Sequence, residues 1–256
     1  MGHPSDWDDV RAALPEFETA AVEIKSANDW QSAVKRLAES IPTGSIIVGY
    51  SMGARLALGL AFEDPDRFKG LVFVSGNPGL ESETEREARW YSDRRLAERI
   101  EAGSLKPFFN DWYQSSVFSG LPDDVRRSEI ARKLAQSSRD WPSILQACSV
   151  ARQPNYWPRL SELAVPTLVV AGERDEKYRQ IADRIREEKN VSVSVVPNSG
   201  HIVHREQRTA LVDLIREFAS KGKVARDYND DEAEGRVMKQ CSVRVILDLE
   251  SEVHSK

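Results

Sequence analysis

The sequence predicts an α/β fold: a mostly parallel sheet flanked by helices, with a helical segment inserted between two of the strands. Three observations predict it. Short apolar runs at 20–24, 45–48, 71–75, 167–171 and 191–196 alternate with longer stretches of helical period. Several of these runs are uninterrupted by polar residues, as in parallel strands buried on both faces. Residues 82–155 then break the alternation with charged, aromatic-containing chain that is mostly helical in pattern.

Taken in order, the run at 20–24 is followed by Trp30, Ala33, Val34, Leu37 and Ala38, spaced i, i+3, i+4, i+7 and i+8. That spacing makes one apolar stripe on a helix over 29–40, with Asn28 as a candidate N-cap. The next strand, 45–48, runs into an apolar helix over 54–62. After the strand at 71–75 comes the inserted segment, with turn signals at Gly103 and at Leu121 and Pro122. Beyond it, Tyr178, Ile181, Ala182 and Ile185 repeat the helical spacing between the last two strands, and Leu211, Leu214, Ile215 and Phe218 repeat it after them. The expected organisation is one domain over 1–219, with the insertion at about 82–155 placed as a lid. From Ser220 the chain turns polar and charge-rich, so 220–256 is expected to form a linker and tail of unassigned role. Within it "CSVRVILDLE" (241–250) has the character of a strand with no obvious partner.

Composition limits the function. The 256 residues are 40% hydrophobic and 30% charged with a net charge of −5, which offers no basic footprint for nucleic acid. No apolar run approaches the ~20 residues of a membrane helix, and the acidic start "MGHPSDWDDV" is no secretory signal. Cys148 and Cys241 lie in segments of different character and suggest neither a disulfide framework nor a metal site. A cytoplasmic protein without a metal or other cofactor is expected; oligomeric state is not readable.

The chemistry concentrates at Gly49-Tyr50-Ser51-Met52-Gly53, a G-x-S-x-G elbow between a strand and a helix. The glycines are needed because the chain turns sharply there and leaves no room for Cβ atoms beside the serine. The alternative is a tight structural turn with an incidental serine. An acid and a histidine should follow in that order, each just after a strand. Asp175 in "LVVAGERDEKY" and His201 in "VVPNSGHIVHRE" fit, with Glu173 and His204 as their competitors. Arg55, one turn after Ser51 on an otherwise apolar helix, needs a counter-charge. It has two readings: a buried ion pair with a carboxylate of the insertion such as Glu87, or a guanidinium that grips a substrate carboxylate through two hydrogen bonds.

"VGYSMGARLAL", "SGNPGL", "DWYQSSVFSGL", "QPNYW", "VAGERDEKY" and "SGHIVHRE" together resemble the 2-succinyl-6-hydroxy-2,4-cyclohexadiene-1-carboxylate synthases of menaquinone (vitamin K2) biosynthesis. The similarity runs from about residue 5 to residue 218. The resemblance implies an α/β-hydrolase fold with a helical lid, and a lyase in place of a hydrolase. The triad serine would act as a base, and pyruvate would be eliminated from 2-succinyl-5-enolpyruvyl-6-hydroxy-3-cyclohexene-1-carboxylate, a small polycarboxylate. It implies catalytic roles for Ser51, Asp175 and His201, an oxyanion-hole N–H at Met52, and substrate contacts at Tyr50, Arg55, Arg89, Trp112 and Lys133. Lys133 stands where the family carries arginine, which keeps the charge and loses the two-pronged geometry. For Trp112 the competing reading is ordinary lid packing.

One departure bears on activity. Family members open with further strands, the last being a central strand that ends in a His-Gly-Phe-like segment and supplies the second oxyanion donor. The present sequence begins just downstream of it. The favoured expectation is a start placed too far downstream. A degenerate, inactive relative comes next, and a vacancy filled by the tail's "VRVILDL" is the least favoured of the three. A serine hydrolase acting on an ester, thioester or carbon–carbon bond is the alternative activity.

Overall fold

The computed structural model describes residues 3–24, 27–103, 105–136, 140–227 and 242–246. Its centre is a six-stranded sheet built from β1 (Glu18–Val22), β2 (Ile46–Tyr50), β3 (Gly70–Val74), β4 (Thr167–Gly172), β5 (Val191–Val196) and β6 (Ser242–Ile246). The spatial order is β1-β6-β2-β3-β4-β5, and every neighbouring pair is parallel. Strands β2, β3 and β4 are buried along their whole length, as their unbroken apolar sequences require; the outer strands β1 and β5 are partly exposed.

The helices are α1 (Asp8–Ala12), α2 (Trp30–Ser40), α3 (Met52–Glu63), α4 (Glu83–Glu101), α5 (Leu105–Trp112), α6 (Asp123–Ala135), α7 (Trp141–Ala147), α8 (Glu176–Ile185), α9 (Val203–Glu206) and α10 (Arg208–Asp227). The stripe of α2 (Trp30, Ala33, Val34, Leu37) is buried as the spacing predicts. Its N-cap is Asp29, one residue beyond the predicted Asn28; the Asp29 carboxylate accepts from Ser32 N. Helices α4 to α7 all fall between β3 and β4, within the stretch predicted as the insertion.

Two findings depart from the expectations for the C-terminal region. Helix α10 continues to Asp227, well past the predicted change to linker. Strand β6 is an interior strand: Ile246 lies opposite Val22 on one side and Gly49 on the other. The least favoured expectation for the tail is therefore the arrangement found. The physical reason is hydrogen bonding. Without β6, β1 and the buried β2 would each present an edge of unpaired N–H and C=O groups, and a parallel strand satisfies both edges at once. Val243, Val245 and Ile246 are residue types suited to that position.

Candidate active site

Strand β2 delivers Ser51 at its C-terminal end, where the backbone turns into α3 with φ 50° and ψ −111° at the serine. A non-glycine residue pays strain for a positive φ, and such residues cluster at functional sites. The turn is held by Ser51 N donating to Val74 O at 2.8 Å. It also depends on Gly49, where a Cβ would stand 2.6 Å from both Ala54 Cα and Gly53 O. Met52 opens α3, so its N–H belongs to the first turn beside Ser51.

Asp175 follows β4 as the N-cap of α8, yet its side chain caps nothing. Its Oδ2 instead lies 2.7 Å from His201 Nδ1. A carboxylate only accepts hydrogen bonds, so Nδ1 carries the proton and Nε2 presents a lone pair. Both residues are buried. The imidazole sits among Tyr178, Tyr50 and Phe118, with ring centroids at 4.6, 5.2 and 5.9 Å. Ser51 is 1% exposed, and its Oγ has no hydrogen-bond partner among the described residues. Serine–histidine links in free enzymes commonly tighten only on substrate binding.

The competitors have other work. Glu173 Oε2 accepts from Asn198 N at 2.8 Å and steadies the turn before His201. His204 stacks on Trp7 at 4.6 Å and lies 4.7 Å from the Tyr50 ring, ring centre to ring centre. The histidine loop has further supports that the sequence reading missed. Glu206 accepts from Gly200 N at 2.9 Å, Ile202 N at 3.2 Å and Arg174 Nη2 at 2.8 Å. Ser75 Oγ donates to His201 O at 3.2 Å from a backbone with φ 48°. Gly172 lets the loop close onto the end of β4, since a Cβ there would stand 2.1 Å from Gly200 O. Only the positive charge and acid of "HRE" hinted at such an anchor.

The predicted substrate contacts separate into three places. Arg55 is fully buried, and its Nη1 donates to Cys148 O at 3.0 Å and Gln153 Oε1 at 3.1 Å. Glu87, the suggested partner, is exposed; the carboxylate that feels the Arg55 charge is Asp93. Arg89 Nε donates to Asp93 Oδ1 at 2.8 Å, and Ser149 Oγ donates to Asp93 Oδ2 at 2.6 Å. Arg89 Nη2 has no hydrogen-bond partner among the described residues, although the residue is only 9% exposed and lines a cavity of about 420 Å³. Burial pushes the Cys148 thiol up to about 12, so that cysteine offers no thiolate.

Trp112 and Lys133 are placed elsewhere. Trp112 packs inside the lid with Phe108, ring centroids 5.6 Å apart. Lys133 Nζ donates to Asp6 Oδ2 at 2.8 Å, both residues buried. This brings the N-terminal segment onto α6 across 127 positions of sequence, a pairing no local pattern announces. A second cavity, about 430 Å³, is lined by Asp175 and His201 together with Phe118 and Arg174.

Comparison with known proteins gives the class first. The alpha/beta hydrolase family profile matches residues 1–214. The 2-succinyl-6-hydroxy-2,4-cyclohexadiene-1-carboxylate synthase of Citrobacter koseri is 31% identical over 229 residues, covering 85% of this chain and 89% of its own. The synthase of the same name from Salmonella arizonae is 36% identical over 172 residues, 67% of each chain. Among solved structures, MenH from S. aureus aligns with a TM-score of 0.71 at 28% identity over 76% of each chain. An esterase from Thermogutta terrifontis, 22% identical with a TM-score of 0.61 over 86% of each chain, shares the fold. The chain belongs to the alpha/beta hydrolase family and, within it, to the family of 2-succinyl-6-hydroxy-2,4-cyclohexadiene-1-carboxylate synthases. Among the described residues no helix is long and apolar enough to cross a membrane.

Proposed function

We infer that this protein is a carbon–oxygen lyase that eliminates pyruvate from 2-succinyl-5-enolpyruvyl-6-hydroxy-3-cyclohexene-1-carboxylate, leaving 2-succinyl-6-hydroxy-2,4-cyclohexadiene-1-carboxylate. The observation that carries the reading is the Asp175–His201 contact at 2.7 Å, in a chain that belongs to this synthase family. The proton to be removed sits on the ring carbon that bears the succinyl group, next to a ketone, and is acidic for that reason. His201 Nε2 takes the Ser51 hydroxyl proton as Ser51 Oγ removes the ring proton. The released electron pair forms a ring double bond, the existing double bond moves along one position, and the bond to the enolpyruvyl oxygen breaks. The departing enolate takes up a proton and becomes pyruvate. Charge develops on the succinyl ketone oxygen, where the Met52 N–H is the proposed donor.

Arg89 is the guanidinium proposed to meet a substrate carboxylate, because the residue lines a cavity and its buried Nη2 has no hydrogen-bond partner among the described residues. Arg55 and Tyr50 shape the site from beneath. Trp112 and Lys133 contribute through the packing of the lid. The acidic net charge supports an enzyme acting on a small molecule, with no role in nucleic-acid binding.

The test is pyruvate release from the enolpyruvyl substrate by the purified protein. Wild type is expected to turn over, and Ser51→Ala to lower kcat by about 10³-fold or more. Absence of pyruvate from wild type at saturating substrate sinks the reading. A stable acyl group on Ser51 after treatment with simple esters, without pyruvate release, would make the chain a hydrolase.

A further inference from the structure

Asp175 and His201 sit on different loops, and more than their own hydrogen bond of 2.7 Å ties those loops together. A second side-chain tie joins their immediate neighbours. Arg174, the residue before Asp175, donates from Nη2 to Glu206 Oε2 at 2.8 Å and to Asn198 O at 3.0 Å. Its backbone N donates to Ser199 O at 2.8 Å. Glu206 Oε2 also accepts from Gly200 N at 2.9 Å, and Oε1 accepts from Ile202 N at 3.2 Å. The amides on both sides of His201 therefore donate to one carboxylate, whose side chain is 3% exposed. A carboxylate has about four acceptor sites, so it can serve both amides and the guanidinium at once. The clamp needs a bare backbone at Gly200, where a Cβ would stand 3.1 Å from Glu206 Oε1.

We propose that Glu206, with Arg174 as its counter-charge, is a positioning residue of the synthase reaction: it fixes the backbone of His201 so that the ring keeps Nδ1 on Asp175 and offers Nε2 to Ser51. The proposal rests on the lyase reading above for the rate that it affects. Ser51 Oγ has no hydrogen-bond partner among the described residues, so the serine does not hold the imidazole in place. The ring's placement falls to Asp175 and to the backbone that carries it. A swing of residues 200–202 would take the imidazole with it, and a misplacement of about 1 Å can cost about 10²-fold in rate. Both clamping bonds end on a charged acceptor, which makes them stronger than bonds between neutral groups. Arg174 and Glu206 thus brace the acid loop against the histidine loop, alongside the bond that the chemistry uses.

Pyruvate-release kinetics and proton NMR of the full chain test this together. Glu206→Gln keeps the size and one acceptor oxygen, and kcat should fall about 10-fold; Glu206→Ala should lower it about 100-fold. KM should stay within about 3-fold of wild type in both, because neither change removes a substrate contact. Arg174→Ala should lower kcat about 5-fold, and Arg174→Lys should recover most of that loss. Removing both side chains should cost about as much as Glu206→Ala alone, since the two act as one unit. In wild type the His201 Nδ1 proton bound to Asp175 should give a far-downfield resonance that is absent from His201→Gln. That resonance should move or broaden in Glu206→Gln and Arg174→Ala while circular dichroism stays unchanged. The Arg174 side chain is 42% exposed, so Arg174→Ala decides the matter if the Glu206 variants do not fold. Unchanged kcat with an unmoved resonance overturns the proposal. A raised KM at constant kcat also overturns it, by making these groups substrate contacts. If wild type releases no pyruvate, the reaction assignment falls; the His201 resonance then decides the brace by itself, and an unmoved resonance overturns it.

Discussion

Asp6 and Asp93 are both buried aspartates that meet a basic side chain of the lid at 2.8 Å, yet their carboxyls move in opposite directions. Burial pushes Asp6 up, but Lys133, Arg132 and the His3 N–H together outweigh it and hold the carboxyl well below its ordinary range. Burial also pushes Asp93 up, and there it outweighs Arg89, Ser149 and Arg55. The difference lies in how many cations close around the acid. Asp6 has Lys133 at 2.8 Å, Arg132 at 3.5 Å and Arg205 at 3.6 Å, with Glu129 paired to Arg132 on the same side. Asp93 has one guanidinium in direct contact, and that guanidinium keeps a buried nitrogen with no hydrogen-bond partner among the described residues. The first cluster is closed and joins the N-terminal segment, α6 and α9. The second holds its acid with fewer cations and borders a cavity.

The largest way to break this contrast is Asp6→Ala, which leaves Lys133 charged and buried without its acid. We expect a loss of about 3–5 kcal/mol, read as a lower urea midpoint at unchanged slope. A loss under about 1 kcal/mol would mean that the N-terminal segment is held by Trp7 stacking on His204 and not by charge.

Next in size is Arg89→Ala, which removes the guanidinium paired with Asp93. KM for the enolpyruvyl substrate should rise about 100-fold, the scale of a charge-assisted pair. Stability should fall less than in Asp6→Ala, because a carboxyl already raised by burial tolerates protonation while Ser149 still donates to it. An unchanged KM would place the carboxylate site elsewhere.

The pH dependence sharpens the comparison with the smallest expected effect. The folded Asp6 carboxyl lies below its ordinary value of 3.8, so the unfolded chain binds the proton more readily between the two values. Its stabilisation is therefore complete above 3.8 and is lost as pH falls through that window. Asp93 has the opposite sign: its folded value is raised, so stability declines as pH rises from 3.8 through the folded value. Asp6→Asn should flatten the acid limb of the stability curve, and Asp93→Asn should flatten the decline above it. Parallel curves for wild type and either variant would contradict the assigned direction.

Much of the site was legible because its signals are local. The elbow needs only a strand, two glycines around Ser51 and a helix, all within consecutive residues. Asp175 and His201 were readable from their order and from their positions after β4 and β5. The lid was readable as a break in alternation. What local pattern did not announce was partnership at a distance. Lys133 and Asp6 pair across 127 positions of sequence, and Arg55 ends in a network with Cys148 and Gln153.

By itself the sequence determined the parallel α/β arrangement, the strained serine turn and the choice of Asp175 and His201 as the candidate pair that the structure brings together. Those follow from periodicity, glycine sterics and chain order, which are properties of short segments. The tertiary structure alone decided that Ser242–Ile246 lies between β1 and β2. It alone also decided which of the lid's basic side chains are neutralised and which face a cavity. The reason is that ladder hydrogen bonds and buried charges are satisfied by whichever group the fold brings near, and sequence spacing does not record that proximity.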